Sequence, residues 1–132
     1  MKKTKKQLQE LAWKNFSTYV KRSAMNWRKK VSCYTCDKVM DAEINPEEIH
    51  AGHFKHGKEK EFYYDLRNCK PQCRQCNYYG GDRVIKQYTL KLIREYGIDT
   101  VERLEHSRDK YWSYKDLEYI AKKFDILLKQ LP

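Results

Sequence analysis

The sequence predicts an α+β domain in which a short hairpin, framed by two cysteine pairs, is flanked by helices. Two Cys-x-x-Cys motifs, "CYTC" and "CRQC", stand 36 residues apart. The segment between them contains two short runs with strand character, and the segments outside them carry apolar residues at helical spacing. With 132 residues, the chain has the length of one domain. We divide it into an N-terminal helical arm (1–30), a core (31–97) and a C-terminal helical extension (98–132).

The first helix is predicted over residues 5–29. Thr4 and Gln7 have the spacing of a capping box, in which two side chains satisfy free backbone N–H groups at a helix start. No glycine or proline interrupts the segment. Its buried face is predicted from the apolar residues at helical spacing: Leu8, Leu11, Ala12, Phe16, Tyr19 and Val20.

The helical arm also carries most of the excess positive charge. Residues 1–30 hold ten Lys or Arg against one acidic residue, Glu10, and the whole chain has a net charge of +10. Aromatic residues lie between these basic ones. Such a segment favours a polyanionic partner, most simply the phosphates of nucleic acid. The alternative is a solvated helix whose lysines only improve solubility.

Two features predict that the paired cysteines bind a metal instead of forming disulfides. The N-terminal residues lack the apolar stretch of a secretory signal, and no apolar run approaches the ~20 residues of a membrane span. We therefore expect a cytoplasmic protein in a reducing compartment, where paired Cys-x-x-Cys motifs are typical of metal sites. The predicted ligands are Cys33, Cys36, Cys73 and Cys76.

Four thiolates complete a tetrahedron around Zn²⁺ and leave no coordination position for water. The predicted zinc is therefore structural, and any chemistry must come from the segment between the pairs. The fifth cysteine, Cys69, is expected to be a small buried residue.

That segment is predicted to form an antiparallel hairpin. The runs "EIHAGHF" and "EFYYDLR" are its strands, and the polar "KHGKEK" separates them. Three helices are predicted to follow: one from residue 81 or 82 to Tyr96 with Gly97 as its stop, a short one capped by Asp99 and reaching Ser107, and a last one opened by Ser113 with Asp116. The stripe of the first of these is Ile85, Tyr88, Leu92 and Tyr96, and that of the last is Leu117, Ile120, Ala121, Phe124, Leu128 and Leu131.

A hairpin and a helix held by two cysteine knuckles resemble the HNH, or ββα-metal, nucleases of the His-Me finger superfamily. The ordered motifs "FSTYVKR", "CYTC", "AGHF", "YYDLRNCKPQCRQCN", "QYTLKLIREYG" and "VERLE" resemble, more specifically, the phage NinG/Rap recombination endonuclease family over about residues 11–105. The resemblance implies a zinc-stapled ββα-metal core. It also implies an endonuclease that serves phage recombination and prefers branched or partly single-stranded DNA.

The resemblance further implies roles for three residues, as an H-N-N variant of the motif. His53 would be the general base that activates water, since the pKa of a neutral imidazole lies near the working pH. Asn68 would hold the imidazole or the hairpin in its working geometry through an amide hydrogen bond. Asn77 would offer a carbonyl oxygen to Mg²⁺ or Mn²⁺.

A second ligand for this catalytic ion stays open. Many HNH nucleases carry Asp or His immediately before the catalytic His, where this chain has Gly52. His50 lies on the same strand face, and Asp65 supplies the hard oxygen that magnesium prefers, so we favour Asp65. The side chains expected to contact DNA phosphates are Lys21, Arg22, Arg28, Lys55, Arg67 and Arg74.

Ordinary structural roles compete with these assignments. His53 alone could be a satisfied strand histidine, and together with His50 and His56 it could form a three-histidine zinc site. For the four tyrosines Tyr63, Tyr64, Tyr78 and Tyr79, core packing is favoured over stacking on unpaired bases. The alternative function is a non-catalytic, zinc-dependent DNA-binding or recombination-accessory protein. Paired cuts would suit a homodimer formed through the first helix.

Overall fold

The computed structural model describes residues 1–132 and contains five helices and two separate two-stranded antiparallel sheets. The predicted α+β class is confirmed. In chain order the elements are α1 (Lys5–Ser23), β1 (Lys30–Ser32), β2 (Val39–Asp41), β3 (Ile49–His53), β4 (Cys69–Cys73), α2 (Arg74–Tyr79), α3 (Gly81–Tyr96), α4 (Ile98–Glu105) and α5 (Tyr114–Lys129). No helix combines the length and the apolar composition that crossing a bilayer requires.

The largest core lies between α1 and α5, the first and last helices. At its centre the rings of Phe16 and Phe124 meet edge to face, with centroids 4.9 Å apart. The capping box predicted at Thr4 with Gln7 is confirmed, and Ser113 with Asp116, predicted to open the last helix, forms a second capping box. We call this cluster the helical core; its buried members are Leu8, Ala12, Phe16, Val20, Tyr63, Tyr64, Cys69, Leu117, Ile120, Ala121 and Phe124.

The predicted end of α1 was wrong, because the helix stops at Ser23 and does not reach residue 29. The side-chain oxygen of Asn26 accepts hydrogen bonds from the backbone N–H groups of Arg28 and Lys30, at 2.9 and 3.1 Å. Lys29 adopts a left-handed φ of 60°. A polar side chain that binds nearby backbone competes with the helix, so this turn redirects the chain into β1.

The predicted partner of the "EIHAGHF" strand was also wrong. β3 pairs with β4, in a register that places Ile49 opposite Cys73 and His53 opposite Cys69. The run "EFYYDLR" is instead part of the connection between them. Two adjacent residues of this run, Tyr63 and Tyr64, are both buried in the helical core. A strand could not place both there, because successive side chains on a strand point to opposite faces.

A second, smaller core surrounds the cysteine pairs; we call it the knuckle core. Its buried members are Val31, Cys33, Met40, Ile49 and Cys73. The hairpin β1–β2 and the helix α2 frame this core, and neither was predicted from the sequence. The Sγ of Cys73 caps α2 by accepting a hydrogen bond from the N–H of Cys76 at 3.4 Å.

The helices α3 and α4 share a third core, built from Tyr88, Leu92, Val101 and Leu104. The predicted bounds of α3 are confirmed, and Gly97 ends it with a φ of 90°. Three details differ from the prediction, one of which is that α4 ends at Glu105 and not at Ser107. Ile85 is exposed instead of buried, and α4 starts at Ile98 without a side-chain cap, so that Asp99 lies in its first turn.

Candidate metal centre and adjoining cavity

The four paired cysteines converge on one point, as the sequence predicts. The Sγ atoms of Cys33, Cys36, Cys73 and Cys76 all lie within 4.8 Å of one another, and the Cys36–Cys73 pair is 3.8 Å apart. Two sulfurs that each lie ~2.3 Å from a tetrahedral zinc would be about 3.8 Å apart. This donor set fits a metal ion such as zinc.

Local backbone structure brings each cysteine to this point. Cys33 directly follows β1, and its N–H and C=O bond Lys38 and Asp37 across the knuckle turn, at 2.8 and 2.9 Å. Cys73 is the last residue of β4, and Cys76 lies in the first turn of α2. A strand end and a helix start therefore present the second pair.

The thiols of the cluster differ in how readily they lose their protons. Burial tends to raise the pKa of Cys33, but hydrogen bonds from the Thr35 hydroxyl and nearby backbone lower that pKa to about 6. Burial raises the pKa of Cys76 to about 12. A bound dication would have to displace that proton, so metal affinity should depend on pH.

Beside the cysteine cluster lies an open cavity of about 670 Å³. It is bounded by the end of β3, by β4, by α2 and by the start of α3. Two predicted site residues, His53 and Asn77, both line it, together with Lys55, His56 and Gln72. Tyr88 fixes its floor, because the phenol donates a 2.6 Å hydrogen bond to the backbone carbonyl of Gly52.

The His53 ring is packed and oriented. Its exposed fraction is 9%, and it stacks on Tyr63 and Trp13 with centroid distances of 4.4 and 5.4 Å. Nε2 donates to the backbone carbonyl of Tyr63 at 2.8 Å, which leaves Nδ1 with the lone pair. Burial lowers the pKa of His53 to about 4, so the ring is neutral at pH 7.

Asn68 is completely buried, and its amide bonds backbone instead of an imidazole. Oδ1 accepts from the N–H of Lys55 at 2.9 Å, and Nδ2 donates to the carbonyls of Lys55 and Phe62 at 3.0 and 3.1 Å. These bonds tie down the connection that leaves β3. Asn68 therefore positions the backbone next to His53 and not its ring.

Asn77 is oriented by His50. The Nε2 of His50 donates to the carbonyl of Glu47 at 3.1 Å, so Nδ1 must be the acceptor for the Nδ2 of Asn77 at 3.0 Å. The carbonyl oxygen of Asn77 consequently points the other way. It lies 2.9 Å from the position that a Cβ on Gly52 would occupy.

The other predicted ligand, Asp65, is engaged elsewhere. The guanidinium of Arg67 forms a two-pronged pair with its carboxylate, at 3.0 and 2.8 Å. Burial tends to raise the pKa of Asp65, but the Arg67 contacts lower it overall. Asp65 does not line the cavity. The three histidines His50, His53 and His56 do not form a metal-binding group either.

Gln72 is a cavity residue that the sequence analysis missed. It is paired with His50 across the sheet, so both side chains share one face with Gly52. Its Oε1 lies 1.8 Å from the position that a Cβ on residue 52 would occupy. Only a glycine at position 52 leaves this space free for the oxygen. Its position follows from the pairing of β3 with β4, whereas the sequence pattern predicted a different partner strand for β3.

The expected phosphate-contacting residues differ in their surroundings. Lys55 lines the cavity, and Arg67 is held by Asp65. The exposed ones are Arg22, Arg28 and Arg74, and Lys21 is half-buried.

The four tyrosines divide into two pairs. Tyr63 and Tyr64 pack in the helical core, as favoured from the sequence. Tyr78 and Tyr79, at the end of α2, are 61% and 76% exposed, so the core-packing interpretation of this second pair was wrong.

Comparison with known proteins gives one match. The family model described as "Bacteriophage Lambda NinG protein" matches residues 1–132. No curated protein and no solved structure matches the chain.

Proposed function

The chain belongs to the family of the bacteriophage lambda NinG protein, and from this premise we propose that it is a metal-dependent DNA endonuclease acting in phage recombination. The proposed core is of the HNH, ββα-metal type, because β3, β4 and α2 follow one another and the cysteine cluster lies at the junction of β4 with α2. The zinc would be structural, because four thiolates leave it no open position.

One observation carries the proposal: His53 and Asn77 line the same cavity, directly beside the cysteine cluster. A neutral imidazole and an amide oxygen are two of the groups that phosphodiester hydrolysis needs. The size of the cavity, about 670 Å³, leaves room for a phosphate and its neighbouring sugars.

In this reaction the Nδ1 of His53 would accept the proton of the attacking water, while the bond from Nε2 to Tyr63 holds the ring. Asn77 would bind the catalytic cation through Oδ1, and the hydrogen bond from its Nδ2 to His50 would hold the amide in this orientation. Mg²⁺ or Mn²⁺ held by Asn77 would supply the positive charge that stabilises the departing 3′ oxygen. Asn68 would hold the connection after β3 in position.

The surroundings of the cavity support DNA as the substrate. Lys55 lines it, and α2, which also borders it, begins with the exposed basic residue Arg74, and such basic side chains suit the phosphates of DNA. The exposed rings of Tyr78 and Tyr79 fit unpaired bases, which stack on aromatic side chains. These features support branched or partly single-stranded DNA. A homodimer would allow two paired cuts.

The test is cleavage of a four-way junction, a forked duplex and linear DNA in Mg²⁺ or Mn²⁺. We expect His53→Ala and the more volume-conserving His53→Gln both to abolish cutting while zinc content and DNA affinity stay as in the wild type. Tyr119→Ala, on the exposed face of α5, is the control and should cut normally. Undiminished cutting by both His53 variants would refute the assignment.

A second candidate is a non-catalytic, zinc-dependent DNA-binding or accessory protein. The packing of His53 against Tyr63 and Trp13 favours it, because a ring with a pKa of about 4 is a weak base. The same assay separates the two. Junction binding without nicks in either ion, between pH 6 and 9, would establish the accessory role.

A further inference from the structure

Two amide groups meet at Gly52, and their carbonyl oxygens face the same space. The Oε1 of Gln72 and the Oδ1 of Asn77 lie 1.8 and 2.9 Å from the position that a Cβ there would occupy. Gln72 is only 2% exposed, and the single hydrogen bond of its amide runs from Nε2. The buried side chain thus aims an unpartnered oxygen into the cavity.

The amide of Gln72 is turned by the cysteine cluster. Its Nε2 donates to the hydroxyl of Thr35 at 3.2 Å, and this hydroxyl lies 3.4 Å from the Sγ of Cys33. A metal-bound thiolate only accepts hydrogen bonds, so the hydroxyl must donate to Cys33 and accept from Gln72. Oε1 is then left facing Gly52.

We propose that Gln72 is the second protein ligand of the catalytic cation, oriented from the structural zinc through Thr35. Amide oxygens are hard ligands suited to Mg²⁺ and Mn²⁺. The inference builds on the cation site of the proposed function and replaces the sequence-based candidates His50 and Asp65. A glycine at position 52 is thereby explained, because any side chain there would occupy the place of the Gln72 oxygen.

The chemistry of this pair determines how the ion is held. Gln72 and Asn77 are both neutral, so they attract a dication less than carboxylates do, and the remaining charge must come from the DNA phosphate. The ion would therefore bind weakly to the free protein and more tightly together with substrate.

The experiment measures Mn²⁺ binding to the zinc-loaded protein by the electron paramagnetic resonance signal of free Mn²⁺. We expect Gln72→Ala and Asn77→Ala each to weaken binding by roughly tenfold, about 1.4 kcal/mol. Gln75→Ala is the matched control, since this glutamine of α2 is exposed. Gln72→Glu adds a charge and should strengthen binding. Unchanged Mn²⁺ affinity in Gln72→Ala would overturn the assignment.

A second pair of variants tests whether Thr35 orients the Gln72 amide. Thr35→Val removes the hydroxyl at nearly constant volume and frees the Gln72 amide to turn, so Mn²⁺ affinity should fall by several-fold with zinc still bound. Thr35→Ser keeps the hydroxyl and should restore the affinity. Equal Mn²⁺ binding by both variants would overturn the orienting role of Thr35.

Binding and cleavage distinguish the two proposals. If the wild type binds Mn²⁺ through Gln72 and cuts no DNA, the ligand assignment stands and the nuclease function fails. If the wild type cuts DNA and Gln72→Ala binds Mn²⁺ normally, the nuclease function stands and the ligand assignment fails.

Discussion

The helical core and the knuckle core reach stability by different means. The helical core buries eleven residues and joins the first and last helices, α1 and α5. The knuckle core buries five, two of which are cysteines. Apolar burial contributes roughly 25 cal/mol per Å², so the first core can be stable through packing alone. The second buries fewer apolar residues, so we expect a metal ion in the cysteine cluster to supply much of its stability.

The strand β3 joins these two regions. Its first residue, Ile49, belongs to the knuckle core, whereas its last, His53, stacks on Trp13 of α1 and on Tyr63. Asn77 and Gln72 lie on the side of the cysteines. The proposed site thus takes its base from the part held by packing and its cation ligands from the part held by metal.

Removal of the metal should separate the two regions, and this is the largest effect we expect. Cys36 is exposed and packs little, so Cys36→Ser isolates its ligand role. Structural zinc contributes on the order of 10 kcal/mol in small domains. Hydrogen exchange should show lost protection in β1, β2 and α2 and retained protection in α1 and α5. Cys69→Ala, which alters no predicted ligand, should keep its zinc. Uniform loss of protection throughout the chain would contradict the comparison.

The reverse perturbation is Phe16→Ala. Truncation of a buried phenylalanine costs about 3–5 kcal/mol, and urea unfolding should show a loss of this size. Zinc content, measured at low urea, should stay at one ion per chain because the knuckle core does not contain Phe16. Tyr119→Ala, on the exposed face of α5, should change stability by less than about 0.5 kcal/mol.

Acid should act on the helical side of the site through His53. Burial lowers its pKa from 6.5 to about 4, so the unfolded state binds the proton more readily. The free energy of unfolding is then highest above pH 6.5 and falls as pH drops towards 4, by about 3 kcal/mol in all. His53→Gln should remove this part of the pH dependence. Comparing the two proteins cancels the acid release of zinc, and identical pH profiles would contradict the assignment.

The smallest effect concerns the ion pair between Lys91 of α3 and Asp37 of the knuckle. Asp37 is largely exposed, and exposed pairs contribute less than about 1 kcal/mol. Lys91→Met should therefore leave zinc affinity and the urea midpoint nearly unchanged. A large loss of zinc affinity would mean that ion pairs, and not the metal alone, hold the knuckle region.

The elements that local chemistry determines were predictable from the sequence. The capping boxes at Thr4 and Ser113, the stop at Gly97 and the cysteine cluster all depend on residue types at short spacing. The end of α1 was not predictable from periodicity, since the Asn26 side chain closes a turn that overrides it.

The non-local features were harder. The partner of β3 depends on two tertiary contacts: Cys73 joins the cysteine cluster, and Tyr63 and Tyr64 pack in the helical core. A local strand pattern contains neither of these contacts. The error in register concealed Gln72, because a lone glutamine carries no motif. The positions of Asn77 and His53 relative to the cysteines identify both as site residues, but the hydrogen bond that turns Asn77 towards Gly52 depends on the tertiary fold, which brings His50 beside it.

The packing of α1 on α5 has a consequence for biosynthesis. Translation delivers α1 before α5, so the apolar face of α1 emerges from the ribosome before its partner helix has been made. The cysteine pairs leave the exit tunnel earlier than α5 and can take up their ion while the chain is still growing. Closing a loop between the two ends of the chain is entropically costly, and a knuckle already folded would shorten the free part of that loop. The supply of metal in the infected cell would then determine how quickly newly made chains bury the apolar face of α1.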